Sequence, residues 1–61
     1  MLVTCTFYGV RHGRATVQFQ VEREHLAVGE TFALAGETYG ILSVVAGEDT
    51  YAANVAPERE R

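Results

Sequence analysis

A chain of 61 residues is long enough for one small domain, and a domain of this length buries only about 60% of the surface that its unfolded chain exposes. The chain is 48% hydrophobic and 21% charged, a composition that excludes an intrinsically disordered protein. Its net charge of −3 excludes a broad basic field for nucleic acid, and its single cysteine, Cys5, excludes an internal disulfide.

Turn signals that contain glycine divide the chain into five predicted strands. Residues 15–22 alternate apolar and polar side chains, which is the period of a strand with one buried and one exposed face. The charged tail at residues 57–61 is predicted to be flexible, which leaves a single domain at residues 1–56. The strands are predicted near residues 2–9, 14–24, 30–35, 38–46 and 50–56.

The first hairpin is predicted to have a three-residue turn at residues 11–13, with Gly13 in the left-handed position. A two-residue turn at residues 12–13 would place the threonines of strand one on the apolar face of strand two. The three-residue turn instead sets apolar residues opposite one another and leaves a polar outer face. Its predicted pairs are Val3 with Val21, Cys5 with Phe19 and Phe7 with Val17.

The second hairpin is predicted to turn at Gly36 and Glu37, because a type II′ turn needs positive φ at its first central residue. This turn sets four large side chains on the core side of the sheet. The predicted pairs are Leu34 with Tyr39 and Phe32 with Ile41.

The third hairpin is predicted to have a three-residue turn at residues 47–49. The alternative is a two-residue turn at Glu48 and Asp49, which would align Leu42 and Val44 with the last strand. The pairs of the three-residue turn are Ile41 with Val55, Ser43 with Ala53 and Val45 with Tyr51.

Strand four is apolar on both faces, since Leu42 and Val44 alternate with Ile41 and Val45. Either the barrel itself covers both faces, or Leu42 and Val44 contact another molecule. A second subunit would help to stabilise so small a domain. Leu42 and Val44 are therefore the candidate protein interface.

The predicted fold is all-β, a small five-stranded antiparallel barrel or meander that is SH3-like. Tight hairpins join most strands, and one longer loop spans residues 25–29. Residues 28–36, followed by Tyr39 and Ile41, resemble a hairpin that recurs in many small barrels. Unrelated families share that hairpin, so the resemblance implies a fold and no function.

Groups suited to catalysis or metal binding are sparse. Ser43 lies in an apolar strand, and the adjacent Glu48 and Asp49 lie in a turn, where neighbouring side chains point into water. A structural zinc site needs four closely spaced ligands, so we expect no metal, no cofactor and no enzyme. The only thiol and imidazole side chains are those of Cys5, His12 and His25.

The first hairpin carries the most suggestive group of side chains, which we call the hairpin cluster. An aromatic ring and two guanidinium groups there could stack a base and hold a phosphate. The alternative is a soluble hairpin tip beside an ordinary surface tyrosine. The hairpin cluster consists of Tyr8, Arg11, His12 and Arg14.

Two functions follow from these patterns. The first is a non-enzymatic interaction module that binds a protein partner or forms a homo-oligomer, and the second is an accessory nucleic-acid-binding barrel that uses the hairpin cluster. A small-molecule sensor is less compatible with so short a chain, which leaves little room for a pocket.

The chain lacks both a run of roughly 20 apolar residues and a signal-peptide pattern, so we expect a cytoplasmic protein with no membrane partner. Met1 and the charged tail predict a free-standing gene product.

Overall fold

The computed structural model of the protein describes residues 1–12 and 14–60, with the side chains of all of these except residues 12, 14, 15 and 60. Within these ranges the chain forms five strands and two short 3-10 turns, and no α-helix. No helix in this part of the chain is long and apolar enough to cross a membrane. The strands are β1 (Leu2–His12), β2 (Arg14–Glu22), β3 (Thr31–Leu34), β4 (Glu37–Ala46) and β5 (Tyr51–Pro57), and the turns are Arg23–His25 and Glu58–Glu60.

The strands form one strongly curled sheet, a half-barrel with the order β2-β1-β5-β4-β3. The predicted small all-β fold of five strands is confirmed, and β1 with β2, β3 with β4 and β4 with β5 are antiparallel as predicted. The pairing of β1 with β5 is parallel, so the sheet is mixed and not antiparallel throughout as predicted. Successive strands alternate in direction along the chain, so the first and the fifth run the same way, and the connection at residues 23–30 leaves β2 and β3 as the two edges of the sheet.

The predicted register of β1 and β2 is confirmed over most of its length, where Val3, Cys5 and Phe7 lie opposite Val21, Phe19 and Val17. The pairing then shifts, because Arg11 and His12 continue β1 and His12 lies opposite Arg14. The predicted end of strand one at residue 9 and the turn beginning at residue 11 are therefore wrong. Gly13, which was expected in the left-handed position, lies outside the described residues.

β1 bends at the point where its register shifts. Gly9 has a φ of 101°, and Val10 enters the core with only 4% of its surface exposed. The backbone N–H of Arg11 donates to the hydroxyl of Tyr39 at 3.0 Å. Because the Tyr39 side chain is fully buried, the bend supplies its hydroxyl with a hydrogen bond inside the protein.

The second hairpin turns at Ala35 and Gly36, one residue earlier than predicted. Both residues have positive φ, 53° and 81°, as a type I′ turn requires. The new turn moves each pairing by two residues, so every side chain keeps its predicted face while its partner changes. The observed pairs are Phe32 with Tyr39 and Leu34 with Glu37, in place of Leu34 with Tyr39 and Phe32 with Ile41.

The third hairpin contains both of the registers that the sequence left open, because an irregularity at Leu42 separates them. Towards the turn, the pairing is that of the two-residue alternative at residues 48–49. Beyond this β-bulge, Ile41 lies opposite Val55, as the three-residue turn predicts. The pairs near the turn are Ala46 with Tyr51, Val45 with Ala52, Val44 with Ala53 and Ser43 with Asn54, in place of the predicted Val45 with Tyr51 and Ser43 with Ala53.

The core lies on the concave side of the sheet and has aromatic rings at its centre. Phe7 stacks on Phe19 with 4.7 Å between ring centroids, and Phe32 stacks on Tyr39 with 5.6 Å. Phe7 and Phe32, 4.8 Å apart, join the two pairs. Burying such rings supplies about 1.5–3 kcal/mol each. The buried residues are Cys5, Phe7, Val10, Leu26, Tyr39, Ile41, Ala53 and Val55.

Candidate functional site

The convex face of the sheet carries side chains in rows that cross β2, β1, β5 and β4. Residues directly opposite one another in neighbouring strands point to the same face. The rows therefore follow from the observed strand pairings. One row contains Thr16, Tyr8, Asn54 and Ser43, and the next contains Gln18, Thr6, Ala52 and Val45.

Large side chains exposed on this face include Tyr8 at 44%, Leu42 at 49% and Val45 at 61%, and Leu2 is exposed at the start of β1. The first three lie on or beside the row of Asn54 and Ser43. We call these three residues the convex patch. Among them, the side-chain amide of Asn54 donates to the hydroxyl of Ser43 at 2.9 Å. An exposed aromatic ring and exposed aliphatic groups beside a satisfied polar pair are typical of a protein-binding surface.

The two residues expected to form a protein interface, Leu42 and Val44, lie on opposite sides of the sheet. Val44 is half-buried and packs against the core. One extra residue at the bulge reverses the facing of the residues that follow it, so Val45 takes the exposed position. Ser43 was the sequence signal for this change of facing. The hydroxyl of a serine in an apolar strand needs a hydrogen bond, and on the convex face Ser43 accepts one from Asn54.

The structure places the hairpin cluster only in part. Tyr8 belongs to the convex patch, and Arg11 is exposed beyond the bend of β1. The side chains of His12 and Arg14 lie outside those that the structure describes. Tyr8 is thus shared between the two candidate surfaces, and its grouping with the basic residues stays a prediction.

The half-barrel is open between β2 and β3, the two edge strands of the sheet, which do not pair. Phe19 of β2 and Phe32 of β3 meet across this opening, with 6.0 Å between ring centroids. A hollow of about 70 Å³ lies beside Phe32, with Val21, Leu26 and Ile41 also in its walls. Ligand pockets measure about 300–1,000 Å³, so this hollow suits a single side chain better than a small molecule.

The reactive side chains named from the sequence differ in burial where the structure describes them. Cys5 is fully buried, its thiol donates to the carbonyl oxygen of Thr6 at 3.7 Å, and burial raises the pKa of the thiol above its usual value. A raised pKa leaves little thiolate at neutral pH, so Cys5 is a poor nucleophile. Glu48 and Asp49 are exposed. Among the residues that the structure describes, no three His, Cys, Asp or Glu side chains are grouped to hold a metal ion.

Comparisons with known proteins identify no relative of this chain. No protein-family model matches it, and neither a curated protein nor a solved structure matches it significantly. Three surfaces of the molecule are candidates for function: the convex patch, the hairpin cluster and the unpaired edge of β2.

Proposed function

We propose that the protein is a non-enzymatic interaction module that acts through protein–protein contacts or self-association. The observation that carries this proposal is the convex patch, since Tyr8, Leu42 and Val45 expose large side chains on one face of a domain of 61 residues. An SH3-like barrel class and a cytoplasmic location accompany the proposal as predictions from the sequence.

The rigid support of the convex patch and the polar groups within it also favour a protein partner. The strands beneath it are held by backbone pairing on both sides, so β1, β5 and β4 present it on a rigid support. Asn54 and Ser43 already bind one another, so each side chain keeps one hydrogen bond when the patch is covered. The patch is well suited to lose its water to another apolar surface.

The chemistry of the remaining described residues supports a binding role over a catalytic one. The thiol of Cys5 is buried and its pKa is raised, which makes it a weak nucleophile. The hollow beside the open edge holds about 70 Å³, too little for most substrates. Both observations favour the outer surface as the part of the molecule that acts.

A double substitution, Leu42→Glu with Val45→Glu, tests the proposal. Thr38→Glu is the matched control, because Thr38 is exposed on the same strand and lies outside the convex patch. Wild-type protein and the control should recover the same partner in affinity capture, and the double variant should not. If the three proteins capture the same material, the convex patch is not the binding surface.

The second candidate function is an accessory nucleic-acid-binding module that uses the hairpin cluster. The exposed ring of Tyr8 and the exposed Arg11 favour it, because rings stack on bases and guanidinium groups hold phosphates. Fluorescence anisotropy with single-stranded RNA and DNA at low salt tests this. Binding that weakens with salt and falls when Arg11 and Arg14 become Glu supports it, and unchanged anisotropy excludes it.

A further inference from the structure

β2 is an unprotected edge strand. It spans nine residues, Arg14–Glu22, and pairs on one side only, with β1. Its interior, residues 15–21, contains no charged residue, no proline and no glycine. Proteins normally protect a long edge with such residues, because open backbone N–H and C=O groups bind another strand. The opposite edge, β3, has only four residues.

We propose that β2 pairs antiparallel with β2 of a second copy of this chain, which forms a two-fold symmetric dimer with a continuous sheet. The inference goes beyond the proposed function, because it assigns self-association to the edge of β2 and not to the convex patch. Pairing of edge strands is a common mode of recognition, and two-fold dimers are the commonest oligomers.

The length and alternation of β2 determine the register of this pairing. Two-fold symmetry makes the pairing reciprocal: if a residue of one chain lies opposite a given residue of the partner, the same two positions also lie opposite one another with the chains exchanged. Among the registers that keep each face aligned, the one centred on Gln18 alone pairs all nine residues. It sets Gln18 opposite the partner's Gln18 on the convex side. On the concave side Val17 and Phe19, both half-buried in the single chain, lie opposite the partner's Phe19 and the partner's Val17.

The charges at the two ends of β2 favour the same arrangement. The strand begins with Arg14 and ends with Glu22, so the full-length antiparallel register sets each Arg14 position opposite the partner's Glu22. Two opposite-charge pairs then flank a charge-free centre, whereas a parallel pairing would set like charges opposite one another. Glu22 also accepts a hydrogen bond from the Met1 ammonium group at 3.0 Å, and its side chain is still 49% exposed to a second cation.

The substitution Gln18→Lys tests the two-fold centre, because it would set two lysines face to face in the dimer while leaving them in water on a single chain. We expect dimerisation measured by light scattering and sedimentation to weaken by about tenfold. Thr6→Lys is the matched control. Gln18 donates to Thr6 at 3.0 Å, so both substitutions alter the same hydrogen-bonded pair and add the same charge. Thr6 lies on β1, one strand away from the edge, and its substitution should leave dimerisation unchanged.

Charge reversal tests the register. Arg14→Glu and Glu22→Arg each turn two opposite-charge pairs into like-charge pairs and should weaken the dimer, and the double variant should restore it. Amide hydrogen exchange supplies a local readout, since the β2 amides that point away from β1 should gain protection as the protein concentration rises. Failure of the double variant to restore the dimer, or growth beyond two copies by pairing of β2 with β3, would overturn the proposal.

The convex-patch variant separates this inference from the proposed function. A dimer that is lost with Gln18→Lys and kept with the double substitution at Leu42 and Val45 supports pairing through β2. A dimer that is kept with Gln18→Lys and lost with the double substitution overturns pairing through β2 and leaves the interaction module standing. A wild-type chain that is monomeric at every concentration overturns pairing through β2, whatever protein the convex patch binds.

Discussion

Gly9 determines the path of β1 at the scale of a single residue. Its φ of 101° lies in the left-handed region, and a Cβ built there would collide with the carbonyl oxygen of Val55. The bend at this glycine lets Val10 enter the core and brings the backbone N–H of Arg11 to the hydroxyl of Tyr39. A larger residue at position 9 is therefore disfavoured twice, by the left-handed backbone conformation and by the close contact with β5.

The substitution Gly9→Ala should lower the free energy of unfolding by about 3 kcal/mol or more, because left-handed strain and a main-chain collision add together. Gly29→Ala is the control, since Gly29 has a similar φ of 96° and open space around it. It should cost only about 1–2 kcal/mol. Urea unfolding of both variants measures the difference, and equal losses would show that the collision with Val55 is relieved at no cost.

The buried thiol of Cys5 makes the stability of the protein depend on alkaline pH. Burial raises the pKa of Cys5, so the unfolded chain releases this proton at a lower pH than the folded chain. The stability that depends on the neutral thiol is complete below the ordinary cysteine pKa of about 8.5 and is lost as the pH rises through the folded pKa. The advantage of wild type over Cys5→Ala in free energy of unfolding should therefore shrink as the pH rises above about 8.5. A constant difference would contradict this.

At the scale of an element, the faces of most strand residues could be predicted from the sequence, whereas the second turn and the bulge of β4 could not. Alternation determines which residues share a face, so the aromatic core of Phe7, Phe19 and Phe32 follows from it directly. Moving a two-residue turn by one residue along the chain changes the partner of every strand residue but leaves each side chain on the same face. Alternation therefore cannot distinguish the observed turn at Ala35 from the predicted one. The bulge at Leu42 depends on contacts with β5, so the sequence predicted Leu42 for the exposed face and missed Val45.

The second hairpin carries a correctable strain in its type I′ turn. Ala35 has a φ of 53°, a region that alanine adopts only at a cost and that asparagine tolerates. Ala35→Asn should therefore raise the free energy of unfolding by about 0.5–1 kcal/mol. Ala33→Asn, in the neighbouring strand β3, is the control and should give no gain, because asparagine is disfavoured in strands. A gain in stability of the same size at both positions would mean that relief of strain in the turn is not the source of the gain.

At the scale of the whole molecule, the order of the strands in the sheet could not be predicted from the sequence. Matching apolar faces across a turn gives the register only of strands that are neighbours along the chain. The parallel pairing of β1 with β5 sets Phe7 beside Ala53, across almost the entire sequence. The two ends of the strand order are β2 and β3, which no strand pairing connects. Across that open side the sheet depends on side chains alone, and the rings of Phe19 and Phe32 meet there.

A double-mutant cycle on Phe19 and Phe32 measures how strongly these rings hold the two edges together. Aromatic pairs supply about 0.5–1.5 kcal/mol beyond the area they bury, and Phe7 contacts both rings, so alanine substitutions at the two positions should be coupled by about 1 kcal/mol. The control cycle pairs Phe19 with Leu34, which lies on the same face of β3 and has no ring, and should show weaker coupling. Both cycles are read from urea unfolding at one fixed protein concentration. Additive losses for Phe19 and Phe32 would mean that β2 and β3 keep their positions through β1, β5 and β4 alone.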